Sequence, residues 1–298
     1  MSPTTFAPNP GAVVASRGWM LDVDGCLVST TRAGGAGGVP MPGAIELLDA
    51  LYEAGHSVVI CTNASEKTPA DYANHLREMG LNARDEDFTT AGSAAAEYIA
   101  HHHPGARVLA LGAEGISVPL AGYGLELAEP GGPPADVVLV GAARGYSTDL
   151  INAACLAVDA GAPLYSTQAS PWFHGGQGKS VAVSAVMASA IAWATGVQPR
   201  VLGKPSPYLG ETLQRQLGVP AEAITIVGDA LAEIELARVM GANAALVLSG
   251  ATDTARLGTL KGAERPDVAL ADVAELLARL TPTFATPSSP ASSKGVRS

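Results

Sequence analysis

Two aspartates separated by one residue follow an apolar run near the start of the chain, in the segment WMLDVDG. Asp22 and Asp24 therefore follow a predicted strand, where residues i and i+2 point to the same side. Neighbouring carboxylates repel one another, and a divalent cation removes that repulsion; ligand sets made only of oxygen suit Mg²⁺. The pair fits a surface turn with two solvated aspartates equally well, so by itself it does not establish a metal site.

Thr62 and Asn63 follow a second apolar run, VVIC, and Lys204 lies in the segment VLGKPSP. A threonine hydroxyl at a strand end can hold a phosphoryl oxygen, although strand–Thr–Asn is also ordinary turn chemistry. An ammonium group fixed beside a proline can neutralise a carboxylate and a phosphate. A lone lysine is more often a surface residue, so this signal is weak in isolation.

Asp229 follows a further apolar run, ITIVG, and Glu233 comes four residues later. A second acid about one helical turn after the first can complete a metal site. Asp229 alone equally fits the N-cap of the helix that follows. Each motif thus has an ordinary structural interpretation, and the information lies in their combination and order.

Short apolar runs alternate with helix-like segments along most of the chain, which predicts the α/β class with parallel sheets covered by helices. The number of strands predicts two such units. Ligands bind outside the carboxyl ends of the strands in an open parallel sheet, so we expect the motifs to meet at one edge. Predicted strands cover residues 18–21, 57–61, 107–111, 136–140, 163–166, 223–227 and 244–248. Predicted helices cover residues 43–54, 69–79, 93–101, 146–160, 181–195, 207–217 and 230–240.

The four motifs in this order resemble the haloacid dehalogenase superfamily, and more narrowly its NagD-like class of p-nitrophenyl, phosphoglycolate and pyridoxal phosphatases. The segments MPGAIELLDAL, CTNASEKTPADY, VLGKPSP and IVGDALAEIELARVMGANAALVLSGAT carry the resemblance. It covers almost the whole chain and implies a Rossmann-like parallel-sheet core with an inserted α/β cap domain. The implied core is residues 1–103 and 199–280, and the implied cap is residues 104–198.

Both ends of the chain are predicted to lie outside the packed core. Residues 1–15 are expected to be a loose arm. Residues 281–298 are rich in Pro, Ser and Thr, a composition that buries little apolar surface and predicts a disordered tail.

The resemblance implies a magnesium-dependent phosphatase that works through an aspartyl-phosphate. Its implied roles are nucleophile (Asp22), general acid/base (Asp24), phosphate binding (Thr62, Asn63 and Lys204) and Mg²⁺ binding (Asp22, Asp24 through its backbone carbonyl, Asp229 and Glu233). Attack by a carboxylate and then by water splits one hard step into two easier ones, while Mg²⁺ and lysine offset charge on the transferred group. Dehalogenases of this superfamily lack the second aspartate, so Asp24 favours phosphoryl chemistry.

Glu233 departs from the family pattern, because the resemblance implies an aspartate there and a turn one residue longer. That departure supports one alternative, a non-catalytic regulatory protein that binds a phosphate ligand. A phosphomutase with the same aspartyl-phosphate is a second alternative. The substrate is expected to be a small phosphorylated metabolite, and the sequence does not identify which ester.

Three other segments of the chain invite a functional interpretation. Trp172, Phe173 and His174 form an aromatic cluster in a predicted cap loop, which either contacts the substrate's leaving group or anchors the cap or a dimer. The Gly-rich loop 33–39 is either a flap over the site or a loop without a role. Adjacent histidines at 101–103 point in different directions on a helix, so we expect no metal cluster there.

The formal charge of −10 argues against a general nucleic-acid binder, which needs clustered Lys and Arg. No apolar run approaches the length of a membrane span, so no membrane partner is expected. Three scattered cysteines and the absence of a secretory leader pattern predict a cytoplasmic protein with reduced thiols. The family resemblance implies a homodimer formed through the cap.

Overall fold

The computed structural model describes residues 8–29, 37–175 and 178–284. Its larger sheet has six parallel strands in the order β15-β14-β13-β1-β4-β5. These strands are β1 (Gly18–Asp22), β4 (Ser57–Thr62), β5 (Phe88–Thr90), β13 (Ile224–Gly228), β14 (Asn243–Val247) and β15 (Val268–Leu270). The strand that ends in Asp22 therefore lies between the strands that precede Asn63 and Asp229.

The smaller sheet has five parallel strands in the order β12-β9-β8-β6-β7. These strands are β6 (Arg107–Leu111), β7 (Glu126–Leu127), β8 (Val137–Val140), β9 (Leu164–Ser166) and β12 (Arg200–Val201). Two antiparallel pairs stand apart: β2 (Val28–Ser29) with β3 (Val39–Pro40), and β10 (Trp172–Gly175) with β11 (Gly178–Val181). The predicted α/β class with parallel-sheet cores is confirmed.

Eleven helices accompany these strands in the described part of the chain. They are α1 (Pro10–Val14), α2 (Ala44–Glu53), α3 (Pro69–Glu78), α4 (Ala91–His102), α5 (Glu114–Gly122), α6 (Thr148–Asp159), α7 (Val183–Thr195), α8 (Pro207–Leu217), α9 (Leu231–Met240), α10 (Thr254–Leu257) and α11 (Val273–Phe284), with 3₁₀ turns at Ala221–Ala223 and Gly262–Glu264. Among the helices of the described ranges, none is long and apolar enough to cross a membrane.

Strand β1 is buried along its whole length, and its side chains enter two different core layers. Trp19 and Leu21 pack in the layer that contains residues of α2, α3 and α11, whereas Met20 packs with residues of α8 and α9. A parallel strand covered by helices on both faces has this continuous apolar pattern. The two layers fix the strand, and with it the position of Asp22 at its end.

The motif-bearing helix α8 begins and ends where its sequence predicts. The Ser206 side chain accepts a hydrogen bond from the Leu209 N–H at 3.2 Å, and Pro207 occupies the first helical position. The helix stops at Gly218, which adopts the left-handed conformation at φ 65°. Lys204 therefore lies two residues before a well-defined helix start.

Both ends of the described chain are more ordered than expected. Residues 10–14 form a helix rather than a loose arm, because the Asn9 side chain caps it and Val13 is buried. At the other end α11 continues to Phe284, whose ring lies edge-on to His56 at 5.5 Å. Residues 281–284 of the predicted tail are therefore helical, and residues 285–298 lie outside the described residues.

The cap boundaries at residues 104 and 198 stay a prediction. Strand β12 pairs with β9 of the smaller sheet, although it lies two residues beyond the expected end of the cap. The segment that returns to the larger sheet therefore follows Val201, only a few residues before Lys204.

Candidate active site

The Lys204 ammonium joins the ends of three neighbouring strands of the larger sheet. Its Nζ donates to Asp22 Oδ1 at the end of β1 and to the Cys61 carbonyl of β4 at 3.4 Å. The same Nζ pairs with Glu233 Oε1 at 2.9 Å, in the helix that follows β13. All three charged side chains are at most 8% exposed. Lys204 therefore contacts the other three sequence motifs.

The motif that contains Asn63 also holds the backbone of the same lysine. Asn63 Oδ1 accepts the Lys204 N–H at 2.8 Å, and Asn63 Nδ2 donates to the Lys204 carbonyl at 3.2 Å and to Gln168 Oε1 at 3.2 Å. The amide thus uses its oxygen and both of its hydrogens on protein groups. Thr62 is buried, and its Oγ1 accepts the Ala64 N–H at 3.2 Å.

Asp229 lies in a narrow space between two glycines. A Cβ added to Gly25, whose φ is +84°, would lie 2.3 Å from Asp229 Oδ2, and one added to Gly250 would lie 1.9 Å from the same atom. Asp229 Oδ2 also accepts the Ala251 N–H at 2.6 Å. The glycine after Asp24 is therefore required for close approach of Asp229 as well as for the turn.

Glu233 differs from Asp229 in its partners. Its Oε1 pairs with Lys204, and its Oε2 accepts the Ala230 N–H at 3.2 Å, which caps the first turn of α9. Both oxygens therefore have partners within the protein. Glu233 was predicted as a metal ligand, and this placement gives it a different set of contacts.

Burial and mutual repulsion of the carboxylates govern the protonation of this site. Burial raises the pKa of Asp22 well above its ordinary range; Lys204 lowers that pKa, and the charges of Glu233, Asp229 and Asp24 raise it further. Burial and Glu233 raise the pKa of Asp229 to about 6, against the lowering effects of the Ala251 N–H and Lys204. These groups carry more negative charge than one lysine can balance.

The lysine itself stays protonated. Burial acts to lower the pKa of Lys204, but Asp22 and Glu233 together raise it well above its ordinary value. Asp22 and Glu233 together compensate this ammonium. Carboxylate and carbonyl oxygens are the ligands that suit Mg²⁺, so the residues fit the predicted cation.

The structure places Trp172, Phe173 and His174 together in β10, one strand of the antiparallel hairpin. Trp172 is 44% exposed, while the side chains of Phe173 and His174 are outside the description. Their predicted contact with a substrate stays a prediction. Most of the Gly-rich loop 33–39 also lies outside the described residues.

Two of the histidines at the end of α4 bring their ligand atoms closer together than their helical spacing predicts. The potential ligand atoms of His101 and His102, at the end of α4, and of Glu211, in α8, lie within 4.8 Å of one another. Glu211 Oε1 already lies 2.9 Å from His102 Nε2 and 2.6 Å from an Arg215 nitrogen. We assign these residues to a hydrogen-bonded surface cluster.

Sequence reasoning missed two groups that hold the site, Gln168 and the Ala251 N–H. Gln168 follows the strand LYS and a threonine, so small and polar residues after an apolar run gave the same signal there as at Thr62. Ala251 contributes only a backbone N–H, for which the residue type carries no signal.

Two family models match the chain. One, described as haloacid dehalogenase-like hydrolase, matches residues 19–126, and the other, described as HAD-hydrolase-like, matches residues 201–276. Together they span more than half of the chain and contain all four motifs. The chain belongs to the haloacid dehalogenase superfamily.

Curated and solved relatives narrow this assignment. An acid sugar phosphatase of Staphylococcus epidermidis is 28% identical over 211 residues, which are 71% of this chain and 78% of that protein. The solved 4-nitrophenylphosphatase of Thermotoga maritima superposes with a TM-score of 0.80 at 25% identity and covers 90% of this chain and 99% of its own. NagD from E. coli K-12 gives a TM-score of 0.76 at 26% identity, with 87% and 98% covered.

A glycerol phosphate phosphatase of Mycobacterium tuberculosis, solved in complex with magnesium, has a TM-score of 0.76 at 27% identity and covers 88% of this chain and 77% of its own. The predicted NagD-like class is thus confirmed. The protein is a phosphoric monoester hydrolase of this superfamily.

The raised pKa of Asp229 predicts how the metal-free protein responds to pH. Its folded pKa of about 6 lies above the ordinary 3.8, so the folded state binds the proton more tightly. The contribution of Asp229 to the free energy of unfolding is fully present below about pH 4. It falls by about 2–3 kcal/mol as the pH rises to about 6. Urea unfolding in EDTA at several pH values measures this fall, and Asp229→Asn should lack it.

Glu235→Gln, at an exposed position of α9, is the matched control and should follow the wild type at every pH. If Asp229→Asn lost stability with pH as steeply as the wild type does, the account of this carboxylate would be wrong.

Proposed function

We propose that this phosphatase is magnesium-dependent and hydrolyses a small-molecule phosphate monoester through an aspartyl-phosphate at Asp22. The observation that carries the proposal is the contact of the buried Lys204 ammonium with the Asp22 carboxylate. An ammonium beside the nucleophile favours its ionised form against the effect of burial, and it also offsets the charge of an incoming phosphate. A purely structural ion pair would not require a second aspartate two residues later at the same strand end.

The reaction proceeds in two displacements at phosphorus. An Asp22 oxygen attacks the phosphorus atom and the bond to the ester oxygen breaks, while Asp24 donates a proton to that leaving oxygen. Asp24 then takes a proton from water, which attacks the same phosphorus and releases inorganic phosphate and free Asp22. General acid and base catalysis of this kind is typically worth about 10²–10⁴-fold.

Thr62 and Lys204 bind the phosphoryl oxygens in this proposal. The Thr62 Oγ1 accepts a backbone hydrogen bond, so its own proton is available for donation to a phosphoryl oxygen. Asn63 was predicted to bind phosphate too. Because its side-chain amide is used on Lys204 and Gln168, we assign that side chain to holding the lysine.

Asp22, the backbone carbonyl of Asp24 and Asp229 would hold Mg²⁺. The cation would neutralise charge on the transferring phosphoryl group. A magnesium complex of the mycobacterial relative supports this cofactor. We revise the predicted role of Glu233 from metal ligand to the second anionic partner of Lys204.

The substrate class is a small phosphorylated metabolite. Relatives named for acid sugar and glycerol phosphate hydrolysis make sugar and glycerol phosphates the first compounds to test. No specific observation favours the phosphomutase or the non-catalytic alternative over hydrolysis. A cytoplasmic location and a homodimer through the cap stay predictions.

Replacement of the nucleophile tests the proposal. Purified protein with Mg²⁺ should release phosphate from p-nitrophenyl phosphate, and EDTA should stop the release. Asp22→Asn should lower kcat by about 10³-fold or more, because no other group can form the acyl-phosphate. Glu235→Gln serves as the control and should retain wild-type kcat. An Asp22→Asn enzyme with wild-type kcat would contradict the proposed mechanism.

The different partners of Glu233 and Asp229 predict different metal dependence. Asp229→Asn should raise the Mg²⁺ concentration for half-maximal activity at least about 10–100-fold, since a metal contact is lost. Glu233→Gln should leave that concentration within about threefold of the wild type and lower kcat about tenfold, since Lys204 loses a carboxylate. A Mg²⁺ titration of initial rates measures both concentrations. Equal shifts in the two variants would contradict this account and indicate that Glu233 is a metal ligand.

A further inference from the structure

The loops after β4 and β9 meet beside the segment that carries Lys204, and the second of these loops comes from the smaller sheet. The loop after β4 supplies Asn63 and Ser65, and the loop after β9 supplies Thr167 and Gln168. The Ser65 and Thr167 hydroxyls lie 3.1 Å apart, and Asn63 Nδ2 donates to Gln168 Oε1 at 3.2 Å. Two side-chain hydrogen bonds, Ser65–Thr167 and Asn63–Gln168, thus connect the smaller sheet to a motif loop of the larger one.

The segment that carries Lys204 packs directly onto the same junction. A Cβ added to Gly203 would lie 2.1 Å from the Thr167 carbonyl oxygen and 2.9 Å from Asn63 Oδ1. Only a hydrogen fits between these backbones. The residue before the lysine is therefore held against both the β9 loop and the amide of Asn63.

Asn63 connects the two sides of this junction through its amide. Its oxygen and one hydrogen bond the backbone N–H and carbonyl of Lys204, and its second hydrogen bonds Gln168. Without Gln168, one hydrogen of this part-buried amide loses its protein partner, and nothing from the smaller sheet orients the group. The orientation of the Asn63 amide therefore depends on the β9 loop.

We infer that Gln168 is a positioning residue for catalysis, which acts through Asn63 to hold Lys204 against Asp22 and so couples the smaller sheet to the reacting groups. The inference rests on the proposed function. Lysine has a long, flexible side chain, so its head group is placed only as well as its backbone and its partners allow. A displacement of about 1 Å in a catalytic group can cost about 10²-fold in rate.

A double-mutant cycle tests the coupling. Gln168→Leu removes the acceptor with little change of size, and Asn63→Ala removes the link to the lysine. If Gln168 acts through Asn63, Gln168→Leu should lower kcat about tenfold in the wild type and less than about twofold in the Asn63→Ala background. KM should change less than about threefold in the first comparison, since the effect falls on positioning.

Thr167→Val is the matched control, because it removes the neighbouring hydrogen bond to Ser65 and leaves Gln168 in place. It should keep kcat within about twofold of the wild type. Unfolding midpoints of all variants establish that each is folded at the assay temperature.

Three results would overturn the inference: unchanged kcat in Gln168→Leu, an equal loss with and without Asn63, or an equal loss in Thr167→Val. In each of them wild-type activity would still support the proposed function. A wild-type enzyme that released no phosphate would instead overturn the proposed function, and the positioning role would fall with it.

Discussion

A buried ammonium between two buried carboxylates is the interaction on which this site depends. Lys204 lies between Asp22 and Glu233 at the carboxyl ends of the central strands of the larger sheet, and all three side chains are buried. Removal of one member of such a group leaves an uncompensated charge in the interior, which typically costs about 3–5 kcal/mol. The arrangement therefore requires each of the three side chains to be in place when the protein folds.

The strand order explains how distant parts of the chain meet this requirement. Strand β1 lies between β4 and β13, so Asp22, the Cys61 carbonyl and the start of α9 lie side by side although they are far apart in sequence. Glu233 serves two purposes there, because one oxygen faces the lysine and the other caps α9. The departure from the family pattern at this position thus has a structural use that does not require metal binding.

The sequence predicted the central strands, and the place of the motif residues beside their ends, because these signals are local. Strands β1, β4 and β13 are continuous apolar runs followed directly by polar residues, and helices such as α8 carry their own caps. Strands β5 and β12 have only three and two residues and went unpredicted, although the three-residue strand β9 was predicted. Gln168 and the Ala251 N–H could not be assigned, since their importance comes from contacts made between segments far apart in the chain.

The central claim is that Asp22 carries the phosphoryl group, and direct detection of that intermediate tests it. Asp24→Asn removes the base that activates water, whereas p-nitrophenolate can leave without being protonated. The aspartyl-phosphate of this variant should therefore accumulate. The measurement is acid quenching with substrate and Mg²⁺, followed by peptide mass spectrometry. The account predicts one phosphoryl group on the peptide that contains Asp22, and none when Asp22 is also replaced by Asn. A phosphoryl group on another residue, or steady phosphate release with no phosphorylated peptide, would contradict it.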